Sequence, residues 1–202
     1  MEKQTSHTKG EEIKMKKLLK IILAVFAVII LTFVIIGAIL FLDLAAYTAT
    51  GTQTLTPQGA SMGTALVLYD PGLSGASTRV AEKVASELQS QGFTVTLAGI
   101  KSSAASVTSG YDVIVVGGPI YAGAPTASVI GTLNSLNPDA NTKVGVFGSG
   151  QGATTPEDIA QIKGGVAALQ SGGVLSNAVV VKIGETEDID ARASDFVAQL
   201  VR

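Results

Sequence analysis

Residues 112–125 read Asp112-Val113-Ile114-Val115-Val116-Gly117-Gly118-Pro119-Ile120-Tyr121-Ala122-Gly123-Ala124-Pro125. The first part, DVIVV, is an unbroken β-branched run, the pattern of a strand buried on both faces. Gly117-Gly118-Pro119 are expected to stop it, because glycine and proline both weaken a ladder. Next comes a loop with one aromatic residue, Tyr121, flanked by glycines. Pro125 is expected to open a helix through about Leu136, with Val129 and Leu133 on its inner face. Buried strand, glycine-rich loop and helix make one β–α unit.

The same unit recurs on both sides. Upstream, Ala65–Tyr69 (ALVLY) is a short apolar strand, and Ser77–Gln91 is a helix whose Val80, Val84 and Leu88 share a face. Gly92 stands where a residue just past a helix end belongs. Phe93–Ala98 is strand-like, and Ser102–Thr108 is a weak, small-residue helix. Downstream, Lys143–Phe147 is a strand. Glu157–Gln170 is a helix with Pro156 near its start, and Glu157 and Asp158 suit the dipole of its first turn. Ala178–Ile183 is a last strand and Ile189–Leu200 a last helix. Five β–α units in strict alternation predict an α/β domain over residues 64–202, an open doubly wound sheet of five parallel strands with flanking helices. Five strands are too few for an eight-stranded barrel. In an open sheet of this kind ligands bind at the carboxyl ends of the strands.

The first 63 residues have another character. Ile21–Leu42 reads IILAVFAVIILTFVIIGAILFL, without a charge and with Thr32 as its one polar residue. As a helix its 22 residues rise about 33 Å, enough for a hydrocarbon core about 30 Å thick. Residues 21–44 are therefore read as one transmembrane helix, an anchor that meets membrane lipid through Ile21–Leu42. A cleaved signal peptide has a shorter apolar region, of about 7–15 residues, although the small residues around Ala45–Ala49 leave cleavage open. Lys14, Lys16, Lys17 and Lys20 precede the span, and the next basic residue is Arg79. That bias places the N-terminus in the cytoplasm and the domain outside it. Residues 1–20 are expected to be a polar and basic tail, disordered over the first dozen. His7 lies there and is given no role. Residues 45–63, rich in Thr, Gly, Ser and Gln, are expected to be a flexible linker.

Composition removes several functions. Net charge is −2, which gives no sign of a nucleic-acid partner. There is no cysteine, so disulfides, thiolate metal sites and cysteine nucleophiles are excluded. No Gly-x-Ser-x-Gly elbow follows a strand, and the single histidine precedes the span. A phosphoacceptor domain needs an acidic cluster that Asp70 alone does not supply. No catalytic residue and no metal site is assigned. Glu185, Glu187 and Asp188 are read as the solvated first turn of the last helix.

Three loops remain as candidates. After the first strand comes Asp70-Pro71-Gly72-Leu73-Ser74-Gly75-Ala76-Ser77-Thr78-Arg79. Its hydroxyls can donate to anionic oxygens, and it runs into a helix N-terminus, which attracts phosphate. It lacks the lysine of a Walker loop. In the loop after the third strand, Tyr121 can offer a flat face to a planar ligand, or simply cover the sheet end. After the fourth strand, Gly148-Ser149-Gly150-Gln151-Gly152 permits close backbone approach.

These segments resemble the flavodoxin-like family. Ser74-Gly75-Ala76-Ser77-Thr78 resembles its Thr-Gly-x-Thr phosphate loop, with serines for both threonines. Asp112 through Pro125 resembles its D-x-I-[ILV]-[GL]-[SG]-P-x-Y loop, and Lys143 to Gly150 its third flavin loop. The resemblance implies FMN as cofactor. The phosphate would rest on Ser74, Gly75, Ala76, Ser77 and Thr78. The ring would lie between Gly118, Pro119, Ile120 and Tyr121 on one side and Gly148, Ser149, Gly150, Gln151 and Gly152 on the other. It also implies an electron carrier or FMN-dependent oxidoreductase with a redox protein partner, and it leaves a homodimer open. A second reading, raised by the third loop's lack of an aromatic, keeps the fold without FMN as a membrane-tethered binding module.

Overall fold

The computed structural model describes residues 3–202, with side chains described for 15–38 and 50–202. It divides into two units, Met1–Leu44 and Ala45–Arg202. His7, Lys14, the last residues of the apolar stretch and Ala45–Ala49 lie outside the described side chains.

Helix α1 (Lys3–Thr50) has 48 residues and runs past the apolar stretch at both ends. Within it Met15–Ala38, 24 residues of mean hydropathy 3.2, is long and apolar enough to cross a membrane, and none of it is buried in the protein. The expected disordered tail is therefore helical from Lys3. Extending a formed helix costs little, and Lys, Glu and Gln are good helix formers.

In the second unit the chain follows as β1 (Thr52–Leu55), β2 (Gly63–Tyr69), α2 (Ala76–Ser90), β3 (Phe93–Gly99), β4 (Val113–Tyr121), β5 (Ala124–Pro125), α3 (Ala127–Ser135), β6 (Lys143–Gly150), α4 (Pro156–Gly165), β7 (Val179–Gly184) and α5 (Ile189–Val201). The sheet order is β1-β3-β2-β4-β6-β7, with β5 hairpinned onto β4. The five strands from β2 to β7 on this path are parallel, in the doubly wound order 2-1-3-4-5. β1 is an addition. It pairs antiparallel with β3, Thr52 opposite Ala98 and Leu55 opposite Val95. The stretch expected to be a flexible linker thus carries a strand, because Thr-rich sequence suits a pleated edge and β3 would otherwise leave its edge open.

Alternation along each strand divides the core into two layers. Val113 and Val115 of β4 pack with α2 and α5 residues such as Val84, Leu88, Phe196 and Val197. Ile114 and Val116 pack on the other face with Val129, Leu133 and Ile162.

Several boundaries differ from expectation. Gly117-Gly118-Pro119 do not stop β4, which continues to Tyr121. β2 ends at Tyr69 opposite Gly117, so beyond that point β4 pairs with β6 alone among the parallel strands and tolerates proline on its other side. Glycine at 117 is demanded by packing, since a Cβ there would lie 2.2 Å from the Phe147 ring. β6 likewise runs through Gly148-Ser149-Gly150. Pro125 belongs to β5, and Thr126 takes the N-cap position of α3. Ser103–Ser106 is a 3-10 turn rather than an α-helix. α4 stops at Gly165, short of Gln170, because Gly164 and Gly165 are poor helix formers, and a second 3-10 turn follows.

Candidate functional site

The carboxyl ends of β4, β6 and β7 and the loop after β2 surround a cavity of about 450 Å³. Leu73 and Ser74 come from the first loop, Pro119 to Gly123 from the end of β4, and Ser149 to Gln151 from the end of β6. Asp158, Lys182 and Glu185 complete the lining.

The loops are tied to one another by side chains. Tyr121, half-exposed, accepts a hydrogen bond at its hydroxyl from the Leu73 N–H at 3.0 Å. Ser77 Oγ and Ser149 Oγ are 2.6 Å apart and buried, which joins the first loop to the third. Ser74 Oγ donates to Glu185 Oε1 at 2.8 Å and accepts from the Ala76 N–H at 3.3 Å. Asp70 holds the start of the first loop, accepting from the Gly72 N–H at 3.1 Å, from Thr126 Oγ1 at 2.9 Å and from Ser128 Oγ. The tip between β4 and β5 is a two-residue turn with Ala122 at φ 50° and Gly123 at φ 82°. Positive φ at both positions is the type I′ hairpin geometry, which matches the twist of the two strands.

Half of the fourteen residues expected at the site line the cavity: Ser74, Pro119, Ile120, Tyr121, Ser149, Gly150 and Gln151. Gly75, Ala76, Ser77 and Thr78 form the N-terminus of α2 behind Ser74. Gly118 and Gly148 have another task. A Cβ at Gly118 would lie 2.6 Å from Val129 Cγ2, and one at Gly148 2.7 Å from Ile120, so both are glycine for packing. Gly152 borders open space.

The charged residues of the lining were not expected. Lys182, 6% exposed, sits with its ammonium 3.0 Å from Asp158 Oδ2. The Thr155 backbone N–H, and after it the Lys182 ammonium, hold the Asp158 carboxyl below its usual range. Glu187 is not a solvated helix-turn carboxylate. Burial opposes its charge, yet the Gly184 N–H and the Thr154 hydroxyl and N–H outweigh that effect and hold its pKa below the usual value. Asp188 alone caps α5, accepting from the Ala191 N–H at 3.1 Å. A lysine inside the strand AVVVKI was the signal for Lys182, since an apolar strand buries a lysine only beside a partner.

The cavity fits a flat ring edged with polar atoms. Ile120, Tyr121 and Leu73 supply apolar surface, and Gln151 and Lys182 supply donors. The α2 N-terminus fits an anion. A Cβ at Gly75 would meet only Arg79 Nη1, at 3.8 Å, so the approach is open and a guanidinium is near.

No family model matches the chain. No curated protein matches it by sequence. Among solved structures, rubredoxin oxygen:oxidoreductase from Desulfovibrio gigas is similar over 71% of this chain, with 19% identity and a TM-score of 0.52. The matched part is 36% of that protein, so the chain spans about a third of its length. A flavodoxin of Streptococcus pneumoniae is similar over 68% of this chain and 97% of its own, with 21% identity and a TM-score of 0.50. The second unit therefore has the flavodoxin fold, and one N-terminal helix apolar enough for an anchor precedes it.

Proposed function

We propose that the protein is a membrane-anchored flavoprotein that binds FMN and passes electrons to or from a protein partner at the same membrane. The observation that carries this reading is the cavity at the strand ends, which Ile120 and Tyr121 line together with the neighbouring Ser149–Gln151 segment, and beside which the first loop leads into the N-terminus of α2. Bound FMN would supply the redox chemistry. The chain's own residues bind and orient it. Tyr121 offers its ring face, Ser149 to Gln151 offer backbone and amide groups along one edge, and Ser74 with the first turn of α2 takes the phosphate. Lys182 in the lining is paired with Asp158, so it orients polar groups there without adding net positive charge. The lysines before the span, Lys16, Lys17 and Lys20 among them, support an N-terminus in the cytoplasm and a domain outside it.

The test is an absorbance and fluorescence titration of the full chain in detergent with FMN. A bound flavin spectrum is expected, with binding weakened about tenfold in Tyr121→Ala, in keeping with loss of one stacking face. Tyr121→Phe keeps the ring and should lose less. A chain that shows no flavin spectrum at saturating FMN would sink the reading and leave a flavin-free binding module.

A further inference from the structure

Two of the three hydroxyls expected to turn toward a phosphate, those of Ser74 and Ser77, already serve partners inside the protein. Ser77 is buried against Ser149. Ser74 gives its one proton to Glu185 Oε1, and a hydroxyl has only one to give. Glu185 is firmly placed: its backbone N–H donates to the Gly150 carbonyl at 2.8 Å, at the end of β6. Among the described residues no cation pairs with it. Lys182, which lines the same cavity, is committed to Asp158, and Arg192 to Glu187. Glu185 thus takes the hydrogen bond that a phosphate oxygen would take, and it brings a negative charge to the same place.

We propose that Glu185 is a specificity-determining residue that selects against a terminal phosphate. A phosphate monoester carries a charge near −2 at neutral pH. To reach Ser74 it must break the Ser74–Glu185 bond, an exposed contact at the edge of the cavity, and then sit beside a carboxylate that no cation among the described residues pairs, whose charge repels it. Repulsion of one ligand is as effective for selectivity as attraction of another. Glu185 therefore narrows the preference for FMN over riboflavin that the α2 N-terminus would otherwise confer. This rests on the flavin reading of the cavity, while the Ser74–Glu185 pair can be tested apart from it.

The experiment measures Kd for FMN and for riboflavin by fluorescence quenching, on the full chain in detergent, in the wild type and in Glu185→Gln. Glutamine keeps an acceptor for Ser74 and removes the charge. FMN is expected to bind about tenfold tighter to the variant, with riboflavin unchanged. A second arm follows thermal stability in inorganic phosphate against chloride at equal ionic strength, and phosphate should stabilise the variant alone. If both flavins shift together, or FMN weakens in the variant, Glu185 does not select against phosphate and the proposal is overturned. If neither chain binds a flavin, the flavin reading falls and the phosphate arm decides. Stabilisation of Glu185→Gln alone then upholds the selection against phosphate, and equal responses overturn it.

Discussion

Lys182 and Asp158 show how a strand can carry a charge into the lining of a cavity. Lys182 sits in β7 among valines, and its ammonium reaches Asp158 at 3.0 Å. Asp158 is held in turn by Thr155, whose N–H and hydroxyl approach the same oxygen at 2.8 and 3.0 Å in a capping box at the start of α4. One carboxylate therefore caps a helix and neutralises a buried cation. Its pKa is lowered in the folded protein, so its contribution to stability is fully present above the unfolded value near 4 and is lost as pH falls through the lower folded value. Glu187 acts in the same direction. Urea unfolding midpoints measured from pH 7 down to about 2 should therefore fall in the acid range for the wild type. In Asp158→Asn stability is lower at neutral pH, by about 2 kcal/mol, because Lys182 loses its partner, and the acid decline is shallower. An unchanged slope in the variant would contradict this account.

At the scale of elements, glycines in β4 and β6 let large side chains cross the sheet. Gly117 lies directly opposite Phe147 and leaves room for its ring, and Gly145 leaves room for Phe196 of α5. Gly117→Ala is expected to destabilise the domain by about 3 kcal/mol, since both the backbone and the buried ring would have to move. In a Phe147→Ala background the same change should cost far less, a non-additivity that a double-mutant cycle measures. Equal costs in both backgrounds would mean that the ring is not the obstacle. The β1 edge belongs to this scale as well. Gly51 to Leu55 satisfies the free edge of β3, including the Gly99 N–H to Gly51 carbonyl bond of 2.8 Å.

At the scale of the whole molecule, a long apolar helix and a flavodoxin-fold domain share one chain. All described apolar side chains of the helix are exposed, from Met15 at 65% to Ile36 at 49%. Exposed apolar surface of that extent marks a segment made to contact a membrane or another protein, and its length suits the proposed span. The chain should stay with the membrane fraction through a carbonate wash. In intact cells the proposed orientation makes residues 45–202 accessible to added protease, and full protection would reverse it.

The order of the α/β domain was legible in the sequence because each element states its own periodicity. The βα alternation, the buried β-branched strands and the helix faces of Val80, Val84 and Leu88 are local patterns, and the tertiary structure kept them. The loops that could hold a ligand were legible for the same reason, since they follow strands. What sequence could not state was set by partners distant in the chain. Threonine-rich residues 52–55 became a strand because β3 had an open edge. Gly117 to Pro119 stayed in a strand because β6 continued beside them. Gly118 and Gly148 turned out to make room for neighbours. Above all, Glu185 and Lys182 entered the cavity only through the meeting of the first strand's loop with the last strand's end, 111 residues apart at the Ser74–Glu185 bond. Local pattern fixes which elements form. Which charges face a shared cavity depends on how those elements pack, and no short stretch of sequence contains that.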